Sequence, residues 1–111
     1  MTTSRRPEDD ERLLRLLGLG ERSRKLGVGV DATRAQLQRG DVNLVILASD
    51  ASERAVDKVV RLARARSVTV VSGPTAAQMG DRLGRPPVMT VAVRDRDLAA
   101  GILAAIDPDG R

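Results

Sequence analysis

Apolar residues recur along the chain in two spacings, one typical of helices and one typical of buried strands. Helical spacing, with apolar residues three and four positions apart, predicts five helices, over residues 7–24, 31–40, 49–66, 74–83 and 95–106. Short apolar runs between them predict four strands, within residues 25–30, 43–48, 67–73 and 88–93. Helices and strands therefore alternate from end to end, which is the order of an α/β domain.

Residues at the predicted helix ends support these boundaries. Pro7 and the four acids that follow it favour a helix start, where the positive end of the helix dipole stabilises negative charge. Gly40 favours a helix end, because glycine readily adopts the left-handed conformation there. Asp50 and Glu53 have the spacing of a capping box, and Asp95 is expected to start the last helix. Asp31 is a candidate N-cap of the second helix.

The run at residues 44–48 shows no polar alternation, which predicts a central strand covered on both faces. It is also far too short to cross a membrane, which takes about 20 apolar residues. We expect one domain over residues 8–106, a flexible arm over residues 1–7 and a short tail over residues 107–111.

Composition narrows the possible chemistry. The 111 residues include no cysteine, histidine or aromatic residue, and the net charge is +4. The usual zinc and haem ligands, thiol nucleophiles and the Ser-His-Asp triad are therefore excluded, as is base stacking on aromatic rings. The basic excess is greater near the start, since residues 1–40 hold nine basic and six acidic side chains against five of each in 67–111. A polyanionic partner fits this balance.

No segment carries a convincing catalytic or cofactor motif. The glycines of residues 27–34 lack the third glycine of a dinucleotide turn, and residues 72–80 lack the spacing and lysine of a phosphate loop. The acids at helix starts are explained by capping, and the hydroxyls at residues 49, 52, 72 and 75 by turns. We therefore expect no enzyme activity, no cofactor and no metal.

Three predicted loops remain as candidates for binding, at residues 24–31, 48–53 and 84–88. They meet at one edge of the sheet only if the strand after residue 88 runs antiparallel to its neighbours. In that case we expect Lys25, Arg34 and Arg85 to gather around exposed amides of Gly27 and Gly29. This hypothesis requires Arg34 and Arg85 to lie on the same side of the molecule. Alternatively, the glycines only permit a tight turn and the arginines are ordinary surface charges.

Three short sequence motifs occur in a characteristic order: "RG" at residues 39–40, "LVILASDAS" at 44–52, and "MG…G…P" within 79–87. With their spacing, they resemble the kink-turn-binding ribosomal protein superfamily of the L-seven-Ae and L-thirty-e type, in particular its short bacterial YlxQ-like branch. The likeness covers about residues 11–106. It implies a three-layer α/β/α sandwich around a mixed four-stranded sheet, and RNA binding where the three loops meet.

The resemblance also implies which residues contact RNA, and where this chain departs from the family pattern. Asp31, Ala32 and Ala35 stand where the family has Asn and Glu, which read base edges, and Lys, which meets the RNA backbone. Asp31 keeps a hydrogen-bond acceptor, but Ala32 and Ala35 lose the Glu and Lys contacts. If each is worth about 1–3 kcal/mol, as good base contacts are in DNA complexes, losing both would weaken specific recognition by orders of magnitude. The 85–89 segment, which includes Pro87, corresponds to the part that contacts extruded bases.

The sequence thus leads to a working hypothesis of a cytoplasmic, non-catalytic protein that binds structured RNA, kink-turn-like or ribosomal. Ribosome-associated proteins are further candidate partners. The predicted RNA-binding residues are Lys25, Gly27, Gly29, Asp31, Arg34, Arg39, Arg85, Pro86, Val88 and Met89. The glycine amides and arginines would hold phosphates, and Val88 and Met89 would pack against a turned-out base. The alternative is a protein-interaction or scaffold module of the same fold that has lost kink-turn recognition.

Overall fold

The computed structural model describes residues 7–106. In chain order the elements are α1 (Pro7–Arg22), β1 (Leu26–Val28), α2 (Val30–Arg39), β2 (Leu44–Leu47), α3 (Glu53–Ala65), β3 (Val70–Ser72), α4 (Ala76–Leu83), β4 (Thr90–Val93) and α5 (Arg96–Ile106). Every predicted helix and strand is confirmed, in the predicted order. None of these helices combines the length and the apolar character needed to cross a membrane. The predicted arm, apart from Pro7, and the predicted tail lie outside the described residues.

The sheet is mixed, with strand order β1-β4-β2-β3. β4 runs antiparallel to both β1 and β2, whereas β2 and β3 are parallel. Consequently β1, β2 and β3 all end at the edge of the sheet where β4 begins. The four-stranded mixed sheet implied by the resemblance is confirmed.

Helices cover both faces of this sheet and form two layers. Because successive side chains of a strand point to opposite faces, neighbouring residues of β2 enter different cores. Ile46 packs with Leu17 of α1 and Ile102 of α5, in a large cluster that also includes α4. Val45 packs with Leu37 of α2 and Val59 of α3, in a smaller cluster. The three-layer α/β/α sandwich is therefore confirmed, with an α1–α4–α5 layer and an α2–α3 layer.

The helix caps correct two sequence-based predictions, because Asp31 lies inside the first turn of α2, whose N-cap is Gly29, and Asp50 does not cap α3. Ser52, rather than Asp50, is the N-cap of α3, because its hydroxyl accepts from the N–H of Ala55 at 3.2 Å. Asp50 instead accepts from the N–H of Ala76 at 2.8 Å and so tethers the start of α4 to the end of β2. α4 has its own capping box of Thr75 and Gln78.

Candidate nucleic-acid interface

The reversed direction of β4 brings the connection before it to the edge where β1 and β2 end. Hydrogen bonds join the three segments, since Gly29 N–H donates to the Thr90 carbonyl and Ala48 N–H donates to the Met89 carbonyl, both at 2.8 Å. The predicted convergence of the three loops is therefore confirmed, together with the antiparallel strand on which it depended. We call residues 29–32, 48–52 and 87–89 the loop edge.

Gly29 is the point where β1 turns into α2. Its φ of 101° lies in a region that glycine adopts without strain, and it is the N-cap of α2 with no side chain to cap the helix. The first amides of a helix lack intrahelical partners. The N–H groups of residues 30–32 therefore point out of an uncapped helix start, where the helix dipole favours an anion.

The prediction that amides of Gly27 and Gly29 are exposed to phosphate is wrong. The Gly29 amide bonds to Thr90, and Gly27 is buried within β1, opposite Ala92 of β4. A Cβ at Gly27 would lie 2.1 Å from Gln36 Oε1, so this glycine allows α2 to pack closely on the sheet. The helix start, and not the glycines themselves, offers the accessible amides.

The three predicted cations do not gather at the loop edge. Lys25 precedes β1 and therefore lies at the opposite edge of the sheet, where its Nζ is 3.7 Å from Asp95 Oδ1. Arg85 follows α4 and forms an ion pair with Glu21 of α1. Both residues are placed away from the uncapped start of α2.

Arg34 lies on the other face of the sheet from Arg85. Its Nη1 donates to the carbonyl of Lys58 at 2.7 Å, across the gap between α2 and α3. The requirement that Arg34 and Arg85 share one side of the molecule is therefore not met, and the predicted nucleic-acid cradle built on these cations is wrong. The groups left at the loop edge for an RNA contact are the start of α2 and the connection before β4. Arg39 is the last residue of α2, so it lies at the helix end away from Gly29.

In the connection before β4, the residues differ in what they expose. Val88 is only 5% exposed and packs in the large core cluster, so it is not available to a base. Met89 is half-buried at the loop edge, and Pro87 is exposed. Pro86 crosses over α4, because a Cβ at Gly80 would be 2.3 Å from the Pro86 carbonyl oxygen. Pro87 and the partly buried Met89, which also packs against the large cluster, are therefore the apolar side chains that this connection presents at the edge.

Sequence reasoning missed a basic stripe on α3. Arg54, Lys58 and Arg61 are exposed and stand four and three residues apart, so they share one face of the helix. The spacing could have been read from the sequence, but not which way the face points. Lys58 and Arg61 face Arg34 across an open groove.

The opposite side of the loop edge is acidic. The first turn of α1 carries Glu8, Asp9 and Asp10, and a groove lined by Glu8, Asp10 and Glu11 also includes Gln78 at the start of α4. α4 begins directly after β3 ends, so these acids lie near the same edge of the sheet. Asp9 and Glu11 are paired with Arg12 and Arg82, so the α1 side offers a polyanion little net attraction, whereas the basic stripe of α3 attracts it.

Known proteins resemble this chain in sequence and in fold. The sequence model of the Ribosomal protein L7Ae/L30e/S12e/Gadd45 family matches residues 11–101. The chain belongs to this family. The matched range runs from the first turns of α1 into α5 and so includes the whole sheet and the loop edge.

Individual relatives cover almost the same range. The chain is 29% identical over 92 residues to a Bacillus subtilis protein named RNA-binding protein YlxQ. This match covers 83% of this chain and 92% of the relative. A solved structure of a Bacillus halodurans protein of unknown function matches with a TM-score of 0.81 and 29% identity, over 86% of this chain and 97% of that one. The Giardia lamblia 15.5kD RNA binding protein shares the fold, with a TM-score of 0.72 and 20% identity over 93% of this chain and 88% of that one.

Proposed function

We propose that this protein is a non-catalytic RNA-binding protein that recognises structured RNA, kink-turn-like or ribosomal, at the loop edge. The observation that carries the proposal is the uncapped start of α2, held next to the Met89–Thr90 segment by the hydrogen bond from Gly29 N–H to the Thr90 carbonyl. The resemblance to the B. subtilis RNA-binding protein over most of both chains supports the same function. We place this activity in the cytoplasm.

Each part of the loop edge has a distinct role in the proposed complex. The amides of residues 30–32 bind a backbone phosphate at the positive end of α2. The half-buried Met89 packs against a base turned out of the stack. Asp31 accepts a hydrogen bond from a base edge but repels nearby phosphate, and Ala32 and Ala35 make no hydrogen bond with RNA through their side chains. We leave Lys25, Gly27, Arg39, Arg85 and Val88 outside this interface.

The test is a gel shift of the purified protein with a kink-turn RNA and with a plain RNA duplex, each at two salt concentrations. We expect tighter binding to the kink-turn RNA and a preference that persists at the higher salt. Added salt weakens phosphate contacts to any RNA, because it reduces the free energy gained from counterion release. Salt alone therefore does not abolish a preference that rests on shape and base contacts. Equal weak binding to both RNAs that disappears at the higher salt contradicts the proposal.

A double substitution tests whether the loop edge has the shape needed to bind a kink-turn and lacks only the side chains that contact the RNA. The variant Ala32→Glu with Ala35→Lys restores the family residues on α2. Each restored contact is worth about 1–3 kcal/mol. We therefore expect the variant to bind the kink-turn RNA more tightly than the unmodified chain, by about tenfold or more. An unchanged affinity together with a co-purified protein partner would favour the scaffold alternative, for which Ala32 and Ala35 are the supporting residues.

A further inference from the structure

We infer that the groove between α2 and α3 binds the phosphate backbone of a helical arm of the RNA, as a second contact that continues the loop edge. The inference rests on the proposed function, and it adds a surface and a direction to it. It predicts that the arm leaves the loop edge over the α2–α3 layer and not over α1.

The groove is open and lined by long basic side chains. Its volume is about 430 Å³, and it is lined by Arg34, Asp57, Lys58, Arg61, Leu62 and Ala65. The Arg34 guanidinium donates to the carbonyl of Lys58, which holds it across the gap between the two helices. Three cations thus face a groove whose lining contains one carboxylate, that of Asp57.

The basic side chains of α3 have no acidic partner within the described part of the chain. Ion pairs between described residues instead engage Arg12, Lys25, Arg82, Arg85 and Arg94, none of which belongs to α2 or α3. α3 itself carries four basic and two acidic side chains. Its positive charge is therefore available to an external anion.

The groove is continuous with the loop edge. Arg54 lies in the first turn of α3, immediately after the loop that follows β2, and Lys58 and Arg61 continue the stripe down the helix. On α2, Arg34 follows Gly29 by five residues, which corresponds to about 7.5 Å along the helix. Arg34, about one and a half turns from the start of α2 and bonded to the Lys58 carbonyl, therefore connects a backbone bound at residues 30–32 to the α3 stripe.

Charge and composition favour an RNA backbone over an acidic protein segment in this groove. Protein interfaces depend on a few buried anchors, chiefly Trp, Tyr and Arg, and this chain has no aromatic residue to place beside the arginines of the groove. The apolar part of the lining consists of Leu62, Ala65 and the aliphatic stems of the basic side chains. Exposed cations spaced along a helix contact phosphates without reading sequence.

The experiment measures the affinity of a kink-turn RNA with a long helical arm over a series of salt concentrations. The groove variant is Lys58→Gln with Arg61→Gln, and the matched control is Arg15→Gln with Arg22→Gln, two exposed arginines of α1. Each lost phosphate contact lowers the slope of log affinity against log salt by about 0.9. We expect the groove variant to lower the slope by about 2 and to bind about tenfold more weakly at 0.1 M salt. The control should match the unmodified chain.

Shortening the arm of the RNA provides the second readout. When the arm no longer reaches the groove, we expect the groove variant and the unmodified chain to bind equally. The inference is overturned if the two double variants weaken binding equally, or if the effect of the groove variant does not depend on arm length. It is also overturned if the groove variant leaves RNA binding unchanged but loses binding of a poly-glutamate peptide.

The failure of this inference is distinguishable from failure of the proposed function. If the kink-turn RNA is preferred over a duplex and the groove variant behaves like the control, only the groove inference fails. If no preference for the kink-turn RNA exists, the proposed function fails first. Equal thermal unfolding midpoints for both double variants ensure that differences in affinity do not arise from unfolding.

Discussion

The two helical layers of this molecule use charge in opposite ways. In the α1–α4–α5 layer, ion pairs such as Arg82–Glu11 and Arg85–Glu21 join α1 to α4 and to the connection after it, over the larger core cluster. In the α2–α3 layer, the core is smaller and the basic side chains of α3 form no ion pair with described residues. Arg34, the cation that bridges the two helices, bonds to a backbone carbonyl and forms no ion pair with a described residue.

In the proposed function, one side of this small domain provides most of the stability and the other side provides binding. Exposed ion pairs contribute little to stability, so the α1–α4–α5 layer depends mainly on its apolar core. Unpaired cations at the other layer cost some self-repulsion but attract a polyanion. We therefore expect core substitutions to have the greater effect in the first layer, and charge substitutions to change RNA binding in the second.

The largest expected effect comes from removing a buried leucine from each layer. Leu17 and Leu37 are both fully buried, on α1 and α2 respectively. Leu17→Ala should lower the free energy of unfolding by about 4 kcal/mol, because the large cluster around it leaves a cavity. Leu37→Ala should cost about 2–3 kcal/mol, because partly exposed neighbours such as Val42 and Leu62 can relax into the space. Urea denaturation measures both, and a greater loss for Leu37→Ala contradicts the ranking of the layers.

A smaller effect is expected where the connection before β4 crosses α4. In Gly80→Ala the new Cβ would meet the Pro86 carbonyl oxygen at 2.3 Å, a backbone atom that cannot move without shifting the connection. We expect a net loss of about 1–2 kcal/mol, since the strain exceeds the helix-forming advantage of alanine. Gly18→Ala on α1 is the control, because its nearest contact is the Arg82 side chain at 3.9 Å, and it should gain about 0.5–1 kcal/mol. The midpoint of thermal unfolding should fall for Gly80→Ala and rise for Gly18→Ala. Stabilisation by Gly80→Ala would show that the connection does not pack tightly on α4.

The smallest expected change in stability comes from Arg54→Glu, which should change stability and RNA binding in opposite directions. Arg54→Glu places an acid in the first turn of α3, with Lys58 four residues on, and should stabilise the fold by about 0.3–1 kcal/mol. The same substitution removes a cation from the α3 stripe, so RNA binding should weaken. Arg96→Glu makes the same charge change in the first turn of α5 and should stabilise similarly without weakening RNA binding beyond its effect on net charge. Equal losses of RNA affinity in the two variants would show that only net charge matters.

Local pattern was sufficient to predict the elements and several of their ends. The periodicity of apolar residues predicted every helix and strand, and Gly40 and Asp95 cap α2 and α5 as expected. Thr75 and Gln78 also have the spacing of a capping box, so this cap could have been predicted from the sequence. Strand order and layer arrangement came from the family resemblance, because local pattern does not specify which strands pair.

Contacts between distant residues explain where the sequence-based site was wrong. Asp50 caps a helix that begins 26 residues later, which no local motif indicates. Arg34 was expected at the loop edge, but its position on α2 directs it to Lys58 of α3. Lys25 could have been excluded from the sequence, since a residue before a strand lies at the edge opposite the residue after it. Gly29 loses its free amide because the β1–β4 pairing extends to Thr90.

The most direct test of the account is the change in backbone amide NMR signals on titration with a kink-turn RNA that carries a helical arm. The account predicts the largest changes at residues 29–32, 48–52 and 87–89, followed by the groove-facing residues of α2 and α3. Signals of α1, α4 and α5 should remain nearly unchanged apart from those bordering the loop edge. Changes concentrated on α1 and α5, or no change with excess RNA, would contradict it.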